Sequence, residues 1–360
     1  MNTFHCKTKI YSGEGALNAL QDMKMDSLLL VTDPFFAQNG MAQQVIAAAR
    51  AKKAEIFDRV APDPDVTLVA QGVSVLQKRE ADTVVALGGG SAMDCAKAMI
   101  YFSGRQCRLI AIPTTSGSGS EVTDFAVLTH DGVKHPLVDK KLLPDAAILD
   151  PRFLKKLPKA LIADTGFDVL AHALEAYVAT NSDFFSRSLA AAAFSRGLQV
   201  LERSFSGDLS VRQQMHEAST MAGLAFSQAG LGLCHALSHS LGGVYHVPHG
   251  RLNAILLPAV VGLNANGASR EYAQIARAAG LAGSADVMAV RSLKNALTRL
   301  RSVLQLPATL QQAGIAPRQL WQKAEGIITA VLQDPCCATN PIRPEPYLVR
   351  QVLEEVAGRG

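Results

Sequence analysis

The first 150 residues repeat one pattern, a short apolar run, a turn and then an amphipathic stretch of helical length, and that repetition leaves few folds open. Ser27 to Val31 (SLLLV) ends in Thr32-Asp33-Pro34, and a helical pattern covers Met41 to Lys53. Glu55 to Phe57 opens another strand, which stops at APDPD (61–65) ahead of a helix over Val66 to Lys78. Thr83 to Leu87 (TVVAL) leads into a helix over Ser91 to Phe102. Leu109 to Ile112 and Ala147 to Leu149 supply two further strands. Such alternation predicts an α/β domain built on a mainly parallel sheet with helices on both faces and ligands at the carboxyl ends of the strands. Phe125 to Val138 reads instead as a hairpin turning at His130-Asp131-Gly132.

After Asp150-Pro151 the pattern changes. Alanine and leucine dominate, and amphipathic stretches follow over Asp164 to Ala179, Ser186 to Arg203, Arg212 to Phe226, Ala236 to Leu241, Leu252 to Leu263 and Arg270 to Ala279. The expected division is an α/β domain over residues 1–154 and an all-helical domain over 155–360, and 360 residues suffice for two cores. A net charge of +4 with no dense basic run argues against nucleic acid or a membrane surface as partner. Apolar stretches such as Ala254 to Leu263 read as too short to span a bilayer, and the start MNTFHCKTKI has no signal core. Six cysteines without CxxC spacing suit a reducing compartment, so the expected location is the cytoplasm.

Chemistry concentrates in Cys234 to Gly250, CHALSHSLGGVYHVPHG, which holds four of the nine histidines. His235 and His239 are four apart and share a helix face; Gly242-Gly243 is expected to stop that helix and a loop to carry His246 and His249. Upstream, TGFDVLAHALEAY offers Asp168 and His172 at the same spacing. Taken singly, either pair is more often an ordinary core or surface pair. Together they suggest donors from two helices converging on one cation, and imidazoles with one carboxylate suit Fe(II) or Zn(II) better than Mg(II) or Ca(II).

Two loops suggest a dinucleotide. Gly88-Gly89-Gly90-Ser91 joins a buried strand to a helix, so its N–H groups stand at a helix amino terminus where a pyrophosphate binds well; a tight turn is the plain alternative. No GxGxxG or GxxxxGK[ST] is present. PTTSGSGSE (113–121) follows the next strand with five hydroxyl residues, a suitable wall for ribose or phosphate. Asp33, just past the first strand, could accept bonds from an adenosine ribose and repel a 2′-phosphate, or simply cap a helix.

The motifs GGGSAMDCAKA, AIPTTSGSGSEVT, LPDAAILDP, TGFDVLAHALEAYV and GLGLCHALSHSLGGVYHVPHG, in this order, resemble the iron-containing (group III) alcohol dehydrogenase family over essentially the whole chain. Within it, the chain looks most like members serving propanediol-degrading bacterial microcompartments, with ethanolamine-pathway members next. The resemblance implies Asp168, His172, His235 and His249 as metal ligands and His239 as a catalytic histidine beside substrate and nicotinamide. It implies Gly88, Gly89, Gly90, Ser91 and Asp94 at the pyrophosphate, Thr114, Thr115 and Ser118 along adenosine and ribose, Asp33 as the selector of NAD, and Lys134 near the nicotinamide ribose. Asp63 departs from the asparagine of several relatives, which puts an adenine-side contact there in doubt.

The implied chemistry is hydride transfer between NAD(H) and a short-chain aldehyde or primary alcohol, propanal/1-propanol or acetaldehyde/ethanol. The metal, Fe(II) or Zn(II), would act as Lewis acid and His239 or water would take the proton. The expected direction is aldehyde reduction that regenerates NAD, with cofactor and metal meeting in a cleft between the domains. The implied assembly is a homodimer, in the cytoplasm or a microcompartment lumen, with compartment enzymes or shell proteins as further partners. Two rivals are a dehydroquinate-synthase-type NAD/metal enzyme and a non-catalytic metal- or NADH-binding compartment protein. The first would need cationic clamps for an anionic substrate, which the segments around Asp168 and His235 to His249 lack, Arg251 excepted.

Overall fold

The structure, a computed structural model, describes residues 4–130 and 133–358, without the side chains of Val133 and Lys134. It separates into two compact units, His5–Leu157 and a second that runs on from Pro158 and takes in Phe4, whose ring stacks on Phe185 at 5.5 Å.

In the first unit the strands are β1 (Lys9–Ser12), β2 (Ser27–Thr32), β3 (Lys53–Phe57), β4 (Thr83–Gly88), β5 (Arg108–Pro113), β6 (Phe125–His130), β7 (Val133–Val138) and β8 (Ala146–Leu149). Six of them form one parallel sheet in the order β1-β8-β5-β4-β2-β3, while β6 and β7 pair antiparallel as the expected hairpin. The expected turn residues Asp131 and Gly132 lie outside the described residues. Alternation along the strands divides the core. Leu29, Val31, Val84 and Ala86 pack under α3 (Val66–Arg79) and α4 (Gly90–Ser103), whereas Leu28, Leu30, Val85 and Leu87 face α2 (Met41–Ala49). From β2 the chain moves outward to β3 and from β4 the opposite way to β5. The carboxyl ends of β2 and β4 therefore flank a topological switch point, where an open α/β sheet presents a crevice. Short α1 (Pro34–Gln38) starts there, directly after Asp33.

Some boundaries differ from expectation for identifiable reasons. Strand β1 has no apolar signature because it is the sheet edge and its residues stay largely exposed. Helix α2 stops at Ala49 rather than Lys53, since Arg50 turns left-handed (φ 50°) and Lys53 already pairs with Ser27 in the sheet.

The second unit is all helical: α5 (Lys159–Val178), α6 (Phe184–Phe205), α7 (Arg212–Ala229), α8 (Leu233–Tyr245), α9 (His249–Ala278), α10 (Asp286–Val303), α11 (Pro317–Gln333) and α12 (Pro346–Val356). The two stretches expected over Leu252 to Leu263 and Arg270 to Ala279 are one helix, α9, interrupted only at Ala268 (φ −139°, ψ 33°). It is long and apolar enough to cross a bilayer, but 72% of its most apolar window is buried, as befits a core helix. Nor does Gly242-Gly243 stop α8. The helix runs on to Tyr245 and ends at His246, which is left-handed (φ 56°) ahead of Val247-Pro248. Glycine disfavours a helix by only about 1 kcal/mol per residue, a penalty that the packing of α8 on α9 outweighs. His249, expected on a loop, is the first residue of α9, with Pro248 at its N-cap.

Helices α5 and α9 touch at Gly250, where an added Cβ would lie 2.0 Å from the Asp164 carbonyl oxygen. Gly250→Ala is expected to destabilise the protein by about 1–3 kcal/mol through overpacking. Gly243→Ala, with open space around it and a helical backbone, should be neutral or stabilising by up to about 1 kcal/mol. Urea midpoints of the two variants test the pair.

Candidate metal centre and nucleotide loops

Helix α5 carries Asp168, His172 and Glu175 on one buried face, at positions i, i+4 and i+7. His235 projects from the first turn of α8, and His249 and Asn253 from the first two turns of α9. These elements bring Asp168 Oδ1 to 3.7 Å from His235 Nε2 and 3.5 Å from His249 Nε2. One donor atom from each of the three residues lies within 4.8 Å of the others. His172 stands beside this trio. Its ring stacks between those of Phe226 and His235, with centroids 4.5 Å from each, and its Nδ1 is 3.9 Å from Asp168 Oδ2.

Three neighbours hold the donors in place; of these the sequence marks only Arg251, and only as a cation near the histidines. Glu175, 1% exposed, accepts from the amides of Gly232 (3.0 Å) and Cys234 (2.7 Å) and from His235 Nδ1 (2.5 Å). It thus caps the start of α8 and fixes the ring of the histidine there. Asn253 donates from Nδ2 to Asp168 Oδ1 at 2.7 Å, with His249 Nε2 at 3.1 Å and His235 Nε2 at 3.4 Å, while its oxygen accepts from Ser238. Arg251 clamps Asp164 through two bonds of 3.0 and 3.1 Å, tying α9 to α5. Glu175 had a legible signal, since it extends the Asp168-His172 face by one turn. His239 lies on the same helix as His235, stacks on His249 (5.2 Å, 18°) and shares a 2.8 Å hydrogen bond from Nδ1 to Asp334. Asp334 lies 95 residues away with no motif linking them.

In the first unit the glycine loop opens α4. Gly89 is its N-cap and Gly88 pairs with Pro113 of β5. The loop after β5 runs close against it: a Cβ on Gly89 would be 3.3 Å from Thr115 Oγ1, and one on Gly90 would be 3.4 Å from Ser118. Thr114 is buried, and its amide donates to the Gly88 carbonyl at 2.9 Å. Asp94 accepts from Ser120 at 3.1 Å, which anchors the second loop to α4. Asp33 caps α1 by accepting from the Phe36 amide at 3.1 Å. Lys134 is on β7, and its side chain lies outside the described residues.

Two family models cover the chain almost end to end: iron-containing alcohol dehydrogenase over residues 7–151 and the C-terminal domain of that family over 162–357. The chain belongs to the iron-containing alcohol dehydrogenase family. This dehydrogenase is 40% identical to the 1-propanol dehydrogenase PduQ of Citrobacter freundii, across 99% of its own length and 100% of the relative's. It is 35% identical to the NADPH-dependent butanol dehydrogenase of Clostridium saccharobutylicum, across 98% and 97%. Its fold matches the iron-containing alcohol dehydrogenase of Thermococcus thioreducens with a TM-score of 0.91 at 31% identity, covering 99% of this chain and 100% of that one.

The electrostatics of the dehydrogenase's histidine cluster fit a divalent cation. Burial alone would push the Asp168 carboxyl up, yet the facing His172, His249 and His235 together hold it well below the usual carboxylate range. Burial pulls His235 down, but bonds to Asp168 and Glu175 raise it to about 9. Without an ion, then, the positive charge held on His235 and the Asn253 amide answer the two carboxylates, while burial and the neighbouring imidazoles push His249 well below its ordinary range. The converging atoms are nitrogen and oxygen donors, in the mixture that first-row divalent metals favour.

Removing the outer carboxylate should loosen the ion without unmaking the fold. Glu175→Gln keeps an acceptor for the α8 amides but loses the charge on His235, so metal affinity should fall by about 10–100-fold in equilibrium dialysis with Fe(II).

Proposed function

We propose that this dehydrogenase interconverts short-chain aldehydes and primary alcohols using NAD(H), with Fe(II) held by Asp168, His172, His235 and His249. The observation that carries the reading is the convergence of the buried Asp168 carboxylate of α5 with the imidazoles of His235 on α8 and His249 on α9, with His172 beside them and nitrogen and oxygen donors only. Bound there, the ion supplies Lewis acidity that polarises the substrate oxygen.

The chain's own groups do the rest. The Asp334 bond at Nδ1 leaves Nε2 of His239 as the other proton-exchange atom, and at 40% side-chain exposure it can pass that proton to water. Glu175 and Asn253 keep the ligand rings in one orientation as the substrate's charge changes. Arg251 is taken up by Asp164, so it is no ready clamp for an anionic substrate, which favours a small neutral aldehyde over a dehydroquinate-synthase-type substrate. In the cofactor unit, the N–H groups at the start of α4 favour the pyrophosphate, Gly88, Gly89, Gly90, Ser91 and Asp94 shaping that loop. Thr114, Thr115 and Ser118 form its facing wall, and Lys134 is assigned to the nicotinamide ribose. Asp33, held by the Phe36 amide beside the switch point, would repel a 2′-phosphate, so we assign NAD despite the likeness to an NADPH-dependent butanol dehydrogenase. Likeness to PduQ supports propanal as substrate and, as part of the same proposal, service as an aldehyde reductase in a cytoplasmic or microcompartment setting as a homodimer.

With Fe(II)-loaded protein, loss of NADH absorbance on adding propanal is the expected result, and His249→Ala should show no turnover above the protein-free rate. Normal turnover in that variant would refute the ligand assignment. Asp33→Ser should admit NADPH, measured as a rise in kcat/KM for NADPH relative to NADH.

A further inference from the structure

A second group of donors lies beside the first; it shares His239 and Asp334 with the proton path proposed above and adds a thiol that path does not use. His239 on α8, Asp334 and Cys336 offer one ring nitrogen, one carboxylate oxygen and Sγ, all within 4.8 Å of one another, and Nδ1 is the ring nitrogen that faces Asp334. Their positions are fixed by backbone. Asp334 Oδ1 accepts from the Cys336 amide at 2.8 Å and Oδ2 meets His239 Nδ1 at 2.8 Å. The segment carrying both residues is tied down further on, where Thr339 donates to the Leu231 carbonyl at 2.6 Å and Asn340 accepts from the Leu233 amide at 3.0 Å. The neighbouring thiol of Cys337 points elsewhere, to the Val331 carbonyl at 3.0 Å. Sulfur distinguishes this group from the iron ligands.

We propose that His239 Nδ1, Asp334 and Cys336 Sγ form a second cation site, selective for a thiophilic divalent ion such as Zn(II), and that filling it arrests the enzyme. One imidazole, one carboxylate and one thiolate are an ordinary zinc donor set, and a fourth position is left for water. Binding is balanced as follows. The Cys336 thiol loses its proton to solvent, and the His239 proton moves from Nδ1 to Nε2 as Nδ1 takes the ion. A dipositive ion with one carboxylate and one thiolate leaves no net charge, which limits repulsion from iron nearby. With Nε2 protonated and Nδ1 ligated, His239 can no longer cycle a proton. Burial holds the Cys336 thiol well above its ordinary range, so proton release opposes binding and competition at Nδ1 comes only from an ion with real affinity for sulfur.

The kinetic half of this proposal rests on the dehydrogenase reading, and the binding half does not. Fe(II)-loaded protein titrated with Co(II) should develop a sulfur-to-cobalt charge-transfer band that is absent in Cys336→Ser and kept in Cys337→Ser. No band in the wild type, or a band lost only in Cys337→Ser, would overturn the site whatever the enzyme's activity. Zn(II) should inhibit propanal reduction saturably while bound iron is retained. Cys336→Ser should keep basal activity and need at least about tenfold more Zn(II) for the same inhibition. Equal inhibition of that variant, or inhibition matched by loss of iron, would overturn the regulatory claim.

Discussion

Two buried carboxylates on one face of α5 set the terms for the helical unit. Asp168 and Glu175 are 7% and 1% exposed, and an unpaired buried charge costs several kcal/mol, so partners must be delivered to them from elsewhere in the chain. Glu175 is answered by the start of α8, through amides and the His235 ring. Asp168 is answered by imidazoles and the Asn253 amide. The helices can approach this closely because glycine at 250 leaves the Asp164 carbonyl room and Arg251 clasps the Asp164 side chain. The convergence that would hold an ion is thus the same convergence that satisfies the fold.

The division of labour follows from chemistry. A parallel sheet ends in backbone N–H groups and tight glycine turns, which suit phosphates; a helical bundle offers stacked side chains at three- and four-residue spacing, which suit a metal. In this chain Gly89 and Gly90 are approached by Thr115 and Ser118 from the adjacent strand's loop, while the imidazoles all come from helices.

Much of this was legible in the chain itself. Runs such as TVVAL and SLLLV are buried at nearly every position, so they announce themselves as central strands, and the four-residue spacing of Asp168-His172 and His235-His239 survives as a shared helix face. Other features were hidden for physical reasons. Strand β1 has an exposed edge and no apolar signature, and Gly242-Gly243 looks like a stop although packing on α9 keeps those residues helical. The stretches read separately over Leu252 to Leu263 and Arg270 to Ala279 are joined in α9 through the non-helical residue Ala268, which periodicity cannot foresee. Asp334 reaches His239 across 95 residues, a contact set by tertiary packing with no local pattern.

X-ray absorption at the iron edge on anaerobically loaded protein tests the central claim most directly. We expect one iron per chain in a shell of nitrogen and oxygen alone, with the multiple-scattering pattern of imidazole rings. A sulfur scatterer in that shell, or a protein that holds no iron, would contradict the assignment of Asp168, His172, His235 and His249.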